Sequence, residues 1–197
     1  MHYAIESIPR PEGATVRYLI ETKGSNFKVQ AFATGLLASL AHDPTIVIPA
    51  FEGEVFLDPN ALENSSVRVI VDAASLTPGP STPAKDREEM NRRMHQEVLE
   101  SDSFSAIVFE CARVSASKIG EGQYWAAVNG QLAMHGVTRS QPVSARISVT
   151  GETLRAVGEF SIRLSDYDFR PVSAIGGAVR LKDEIKLSFD ITARKAI

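Results

Sequence analysis

The chain has 197 residues, enough for one large or two small domains, and is 44% hydrophobic and 23% charged with 13 Gly and 10 Pro, so it is neither disordered nor collagen-like and can bury a sizeable core. Lys and Arg number 21 against 24 Asp and Glu, a net charge of −3, which removes any global electrostatic reason to expect nucleic acid or an anionic membrane as partner. The single cysteine, Cys111, excludes an intrachain disulfide and a four-cysteine zinc site.

Met1–Gly13 has neither the basic start nor the apolar run of a secretory signal, and the expected location is cytoplasmic, or periplasmic if the sequence has been trimmed. Strand-like stretches follow at 14–21 and 26–33, with Thr22–Ser25 between them, where Lys23-Gly24 suits a hairpin turn. His42 sits in the turn-like Leu40-Ala41-His42-Asp43-Pro44. Phe51, Gly53, Val55 and Leu57 alternate with polar residues, as do Val67, Val69, Val71 and Ala73 in Ser66–Ser75. The break at Leu76–Pro83 leads into 85–100, where Met90, Met94 and Val98 fall at i, i+4 and i+8, the single apolar stripe of an amphipathic helix. Period two then resumes. Ile107, Phe109 and Cys111 make one stripe, and Tyr124, Ala126, Val128, Gly130, Leu132 and Met134 the next. His135 lies at a strand-end turn. Val143, Ala145, Ile147 and Val149 follow, then Leu154, Ala156, Gly158, Phe160, Ile162 and Leu164, and finally Ile185, Leu187, Phe189 and Ile191. Gly176-Gly177, with Arg170 and Arg180 nearby, reads as a bulge or hairpin.

About eight or nine strands, each with one apolar face, form either a closed barrel or a sandwich occupying the whole chain as a single domain. Gly53, Ala73, Ala126, Gly130, Ala156 and Gly158 are small residues on the apolar faces. In a sandwich they let the sheets approach; in a barrel of about eight strands they leave room for one small ligand. A fully packed interior, with small residues complementing large neighbours, is the competing expectation. The helix stripe would cap an open barrel end. No stretch approaches the roughly 18 uninterrupted apolar residues of a transmembrane helix.

Chemistry is thinly represented. There is no G-x-S-x-G elbow, no Walker A loop, and no G-x-G-x-x-G between strand and helix. Of the four histidines, His2, His42, His95 and His135, no two have the spacing of a local metal motif, so His42 and His135 could meet only through the fold. A metal-dependent hydrolase or isomerase built on that pair is the alternative function. Cys111 reads as a buried, inert thiol. The outer faces of the strands show no distinctive patch.

Leu132-Ala133-Met134-His135-Gly136-Val137-Thr138-Arg139 closely resembles the LTLHGVTR segment of the YceI-like, polyisoprenoid-binding proteins. Phe51-Glu52-Gly53, Val69–Leu76, Leu99-Glu100-Ser101 with Phe104–Phe109, and the alternation from Glu184 to Ala193 are similar to further segments of that family in the same order. The resemblance implies an all-β, antiparallel, lipocalin-like barrel with one helix near its mouth, binding, storing or transporting a long isoprenoid lipid such as a polyprenyl diphosphate or a quinone tail. It implies no catalysis and no cofactor beyond a bound lipid. Carried over residue by residue, the expected ligand contacts are Phe51, Val71, Ile107, Phe109, Val128, Leu132, Met134, His135 and Phe160. Arg92, Arg93 and Arg139 could meet a polar head group at the mouth. Barrel edges commonly pair, which makes a homodimer the expected assembly.

Overall fold

In the computed structural model, residues 15–35, 43–174 and 179–196 are described; His2, His42 and Gly176-Gly177 lie outside them. The strands in chain order are β1 (Val16–Gln30), β2 (Ala33–Thr34), β3 (Thr45–Val47), β4 (Phe51–Leu57), β5 (Ser66–Asp72), β6 (Thr77–Pro78), β7 (Ala106–Cys111), β8 (Val114–Gly120), β9 (Gln123–Met134), β10 (Val137–Thr150), β11 (Thr153–Arg163), β12 (Ser173–Ala174), β13 (Val179–Leu181) and β14 (Glu184–Lys195). Eight of them close an antiparallel barrel in the order β1-β4-β5-β7-β9-β10-β11-β14, with β14 returning to β1. Closure gives each of these strands a neighbour on both sides. β8 pairs with β9 beside β7, β3 and β6 extend the wall from the end of β1, and β2, β12 and β13 form a small separate sheet.

The expected hairpin at Lys23-Gly24 does not form. Residues 16–30 are one strand, both halves of which pair with β14, from Tyr18↔Lys195 to Gln30↔Lys186, with a register shift between Glu21 and Asn26. The four intervening residues bulge outward. Gly24 takes a positive φ of 90°, and the Ser25 hydroxyl donates to the Glu21 carbonyl (2.6 Å) while accepting from the Thr192 N–H (2.9 Å). The turn chemistry of Lys-Gly is therefore spent on bending one long strand rather than reversing it. A hairpin there would have removed half of the partner that β14 needs, leaving the barrel unclosed.

Two element ends also differ from expectation. β5 stops at Asp72, whose carboxylate accepts the Ala74 N–H (3.0 Å) and starts a 3₁₀ turn over Ala73–Ser75, so Ala73 does not extend the strand's inward stripe. The helix, α1, spans Ala84–Arg93 and continues as a π-turn over Met94–Val98, in which Leu99 N–H donates to Met94 O (2.8 Å). Met90 and Met94 pack against the cluster of Ile46, Ile48, Val69, Val71 and Leu76. Val98 packs against the cluster that includes Leu132, Met134 and Ile162. The stripe thus covers one end of the barrel, the use its spacing suggests in an otherwise β protein. No described helix is long and apolar enough to cross a membrane.

Candidate ligand-binding site

The alternating apolar faces do not meet in the middle. They enclose a cavity of about 580 Å³ that runs from Leu57, Leu154 and Ile191 past Val128, Phe109 and Phe160 to Ile46, Met94 and Leu99. Many inward side chains, among them Ile107, Phe109, Ala156, Phe160, Leu187 and Phe189, are only half-buried, because the space they face is open. The polar residues that touch it are few: Ser65, Ser66, Tyr124 and Ser188 along the barrel, then Lys28, exposed between the inward Phe27 and Val29, and the α1 residues Lys85, Asp86, Glu89 and Arg93. Charge is therefore confined to one end, and the body of the cavity has apolar walls. Such a site can gain affinity only by apolar burial, at roughly 25 cal/mol per Å², which favours a long apolar molecule with a polar end.

Of the residues singled out from the sequence, Val71, Ile107, Phe109, Val128, Leu132, Met134 and Phe160 stand on the cavity wall. Two do not. Phe51 packs edge to face against Phe27 at 4.7 Å, and of the two it is Phe27 that lines the cavity. His135 is held outside the lining. It occupies, with Gly136, the two-residue turn between β9 and β10, where both residues have positive φ (50° and 77°), the geometry that matches a hairpin's twist. Its ring stacks on Phe169 (4.5 Å, 19°) and tilts against Phe104 (4.4 Å), and Nδ1 donates to the Tyr167 carbonyl (3.1 Å). The HGV segment is a tie between a hairpin tip and the turn at Leu164–Tyr167.

The small inward residues do not account for the space as expected. A Cβ on Gly130 would fall 2.6 Å from Phe109 Cε2, one on Gly158 2.6 Å from Phe189 Cζ, and one on Gly53 2.8 Å from Ile20 Cδ1. These glycines seat neighbouring side chains against the wall, which is the complementary packing of the competing expectation, while Ala126 is fully buried and only Ala156 of the six lines the cavity. The volume is left by barrel closure, with the rings of Phe109 and Phe189 drawn back into the glycine positions.

At the charged end, Arg93 alone of the three expected arginines reaches the cavity; it also pairs with Glu97 (3.1 Å) and donates to the Ser173 carbonyl (3.0 Å). Arg92 is engaged by Glu89 and Glu97, and Arg139 donates to the Asp166 carbonyl (3.0 Å). Lys28 and Lys85, which no motif marked, line this end instead. Their signal in the sequence was only proximity to the inward stripe and to the helix.

Similarity to known proteins agrees with this geometry. The profile of the YceI-like domain matches residues 18–193. The chain belongs to the YceI-like family. No curated protein matches it in sequence. Among solved structures, the fold is similar to that of BcnA from Burkholderia cenocepacia (TM-score 0.67, 16% identity, covering 88% of this chain and 98% of that one). It is also similar to a polyisoprenoid-binding domain from Saccharophagus degradans implicated in plant cell wall breakdown (0.64, 11%, 92% and 99%), and to the YceI protein of Campylobacter jejuni (0.57, 17%, 77% and 85%). At these identities the structural likeness speaks to the fold.

In this YceI-like chain Cys111 and His95 have structural partners. Cys111 is buried, its thiol donating to the Arg113 carbonyl (2.7 Å), and burial pushes its pKa up. His95 bridges the Leu76 carbonyl (2.9 Å) and the Ser101 hydroxyl (3.2 Å). Among the described residues no three His, Cys, Asp or Glu side chains gather as a metal would require.

Proposed function

We propose that the protein binds a single long apolar chain of isoprenoid type inside the barrel, as a carrier or store, without transforming it. The observation that carries this reading is the apolar cavity itself, about 580 Å³ with its charged groups gathered at one end. A prenyl chain has no strong hydrogen-bonding groups, so a wall that offers almost none costs it nothing on desolvation, whereas a sugar or a peptide would lose its water without replacement. Val71, Ile107, Phe109, Val128, Leu132, Met134 and Phe160 contact the chain, and a diphosphate or quinone head sits by Lys28, Lys85 and Arg93. The family membership supports the same reading, as does the likeness to the Saccharophagus degradans domain, itself described as polyisoprenoid-binding.

Native mass spectrometry of freshly purified protein, followed by organic extraction, tests the proposal. The expected result is one apolar chain per barrel that extraction removes and that a dansyl-labelled farnesyl probe can replace. Protein that carries no lipid and binds no probe would refute it.

A further inference from the structure

Although the sequence led to no distinctive patch on the outer faces, one wall of the barrel carries exposed apolar side chains. The large apolar side chains exposed among the described residues are Leu19, Ile119, Trp125 and Val157, and three of these four belong to the β8-β9-β10-β11 wall. Trp125 and Val157 are both register partners of Arg146, one on each side, so the row Trp125-Arg146-Val157 crosses three strands. Their exposures are 49% for Trp125 and 42% for Val157, with Ile119 at 54%. Arg146 is exposed and enters no ion pair among the described residues.

The same wall is incompletely hydrogen-bonded. β10 and β11 pair only between Ser144–Thr150 and Thr153–Glu159. Beyond Ser144, β10 bonds to β9 alone, while Phe160–Arg163 bond to β14 alone. Pro142, in the unpaired part of β10, has no N–H to offer β11. What spans the gap is side chains: Gln141 Nε2 to the Ser161 carbonyl (3.4 Å) and, farther along, Arg139 to the Asp166 carbonyl (3.0 Å). Val143 and Phe160, which flank the gap, also line the cavity.

We infer that this face rests on a lipid bilayer containing anionic phospholipid and that the bound chain crosses the wall between β10 and β11. The inference rests on the reading that the cavity holds an apolar chain. A chain insoluble in water must pass directly between bilayer and barrel, and the stretch between β10 and β11 that only the Gln141 and Arg139 side chains span can part without breaking ladder hydrogen bonds. Tryptophan favours the bilayer interface because its ring is apolar and its N–H polar, and an unpaired arginine between two apolar side chains complements a lipid phosphate.

Trp125 is the protein's only tryptophan, so its emission reports docking directly. Vesicles of equal parts phosphatidylcholine and phosphatidylglycerol should shift it to shorter wavelength and quench it by energy transfer to a dansyl lipid. Arg146→Glu and Val157→Glu should weaken this docking about tenfold or more, with Arg146→Lys close to wild type. In the two glutamate variants, transfer of the dansyl-farnesyl probe from vesicles slows in step, while probe binding in solution is unchanged. Unaltered Trp125 emission with vesicles overturns the docking; a shift that follows protein concentration without vesicles makes the face a contact between copies and overturns it as well. Probe that fails to bind in solution refutes the cavity reading instead, leaving the emission result to stand alone. A reducible bis-methanethiosulfonate bridge across Gln141→Cys/Ser161→Cys should slow probe transfer until reduced; transfer at the unbridged rate overturns the gap as the route.

Discussion

Replacing Ala156 with Leu separates a hollow barrel from a packed one by the sign of its effect. Ala156 lies on the cavity wall between Ile147 and Ile191, its register partners on β10 and β14, above the nearly inaccessible Leu154. Leucine adds three carbons. If they extend into open apolar space, each contributes about 0.8 kcal/mol, an upper bound near 2 kcal/mol of added stability for the delipidated protein. For a chain of this size that is a rise in Tm of about 5 °C. The same three carbons displace bound chain and remove a comparable contact from it, so a prenyl probe should bind about thirtyfold more weakly. In a packed interior the substitution would instead cost about 1–3 kcal/mol through overpacking. Urea unfolding of delipidated protein, with titration of the dansyl-farnesyl probe, measures both quantities. Destabilisation together with unchanged probe binding would refute the reasoning.

Gly136→Ala should destabilise the protein by about 1–2 kcal/mol, read from the urea midpoint, because its φ is +77° and its Cβ would meet Phe104 Cε1 at 3.0 Å. Hydrogen bonds from the Ser165 hydroxyl (2.7 Å) and N–H (2.8 Å) hold the Asp183 carboxyl below its ordinary range, and the Arg155 guanidinium does the same for Asp190 (2.7 and 2.6 Å). A depressed folded-state pKa contributes stability above the unfolded value, about 3.9, and loses it as pH falls through the folded value. Stability should therefore drop on acidification below about pH 4, and less steeply in Asp183→Asn, as denaturation series at neutral and acid pH would show. Cys111, buried and with its pKa raised, should react with thiol reagents at neutral pH only as fast as the barrel opens, so that urea accelerates labelling; rapid labelling of native protein would contradict its placement.

Strict alternation made the strands legible in the amino-acid order alone, because a pleated chain with one wet face must repeat every second residue. The stripe at Met90, Met94 and Val98 likewise announced a helix over the barrel end, and the HGVTR segment marked the family. His135 shows where that legibility stops. Its motif was plain, yet its side chain ties the β9-β10 turn to the Tyr167 backbone rather than reaching the lumen, and no local pattern distinguishes those roles. Lys28 and Lys85 were missed because a lysine beside an apolar stripe is ordinarily solvated.

The sequence by itself determined which residues face inward, since that depends only on local pleat and burial. Whether inward residues meet, or leave a cavity, depends on strand number and stagger, quantities that belong to the closed sheet. Pairing between Tyr18 and Lys195 fixes the closure. The same pairing turns Lys23-Gly24 into a bulge, while the packing of neighbouring strands sets Phe27 against Phe51 and the rings of Phe109 and Phe189 over Gly130 and Gly158. The gap beside Pro142 and the exposed row at Trp125, Arg146 and Val157 likewise exist only once neighbours are assigned, because an outward residue becomes part of a surface through the strands beside it.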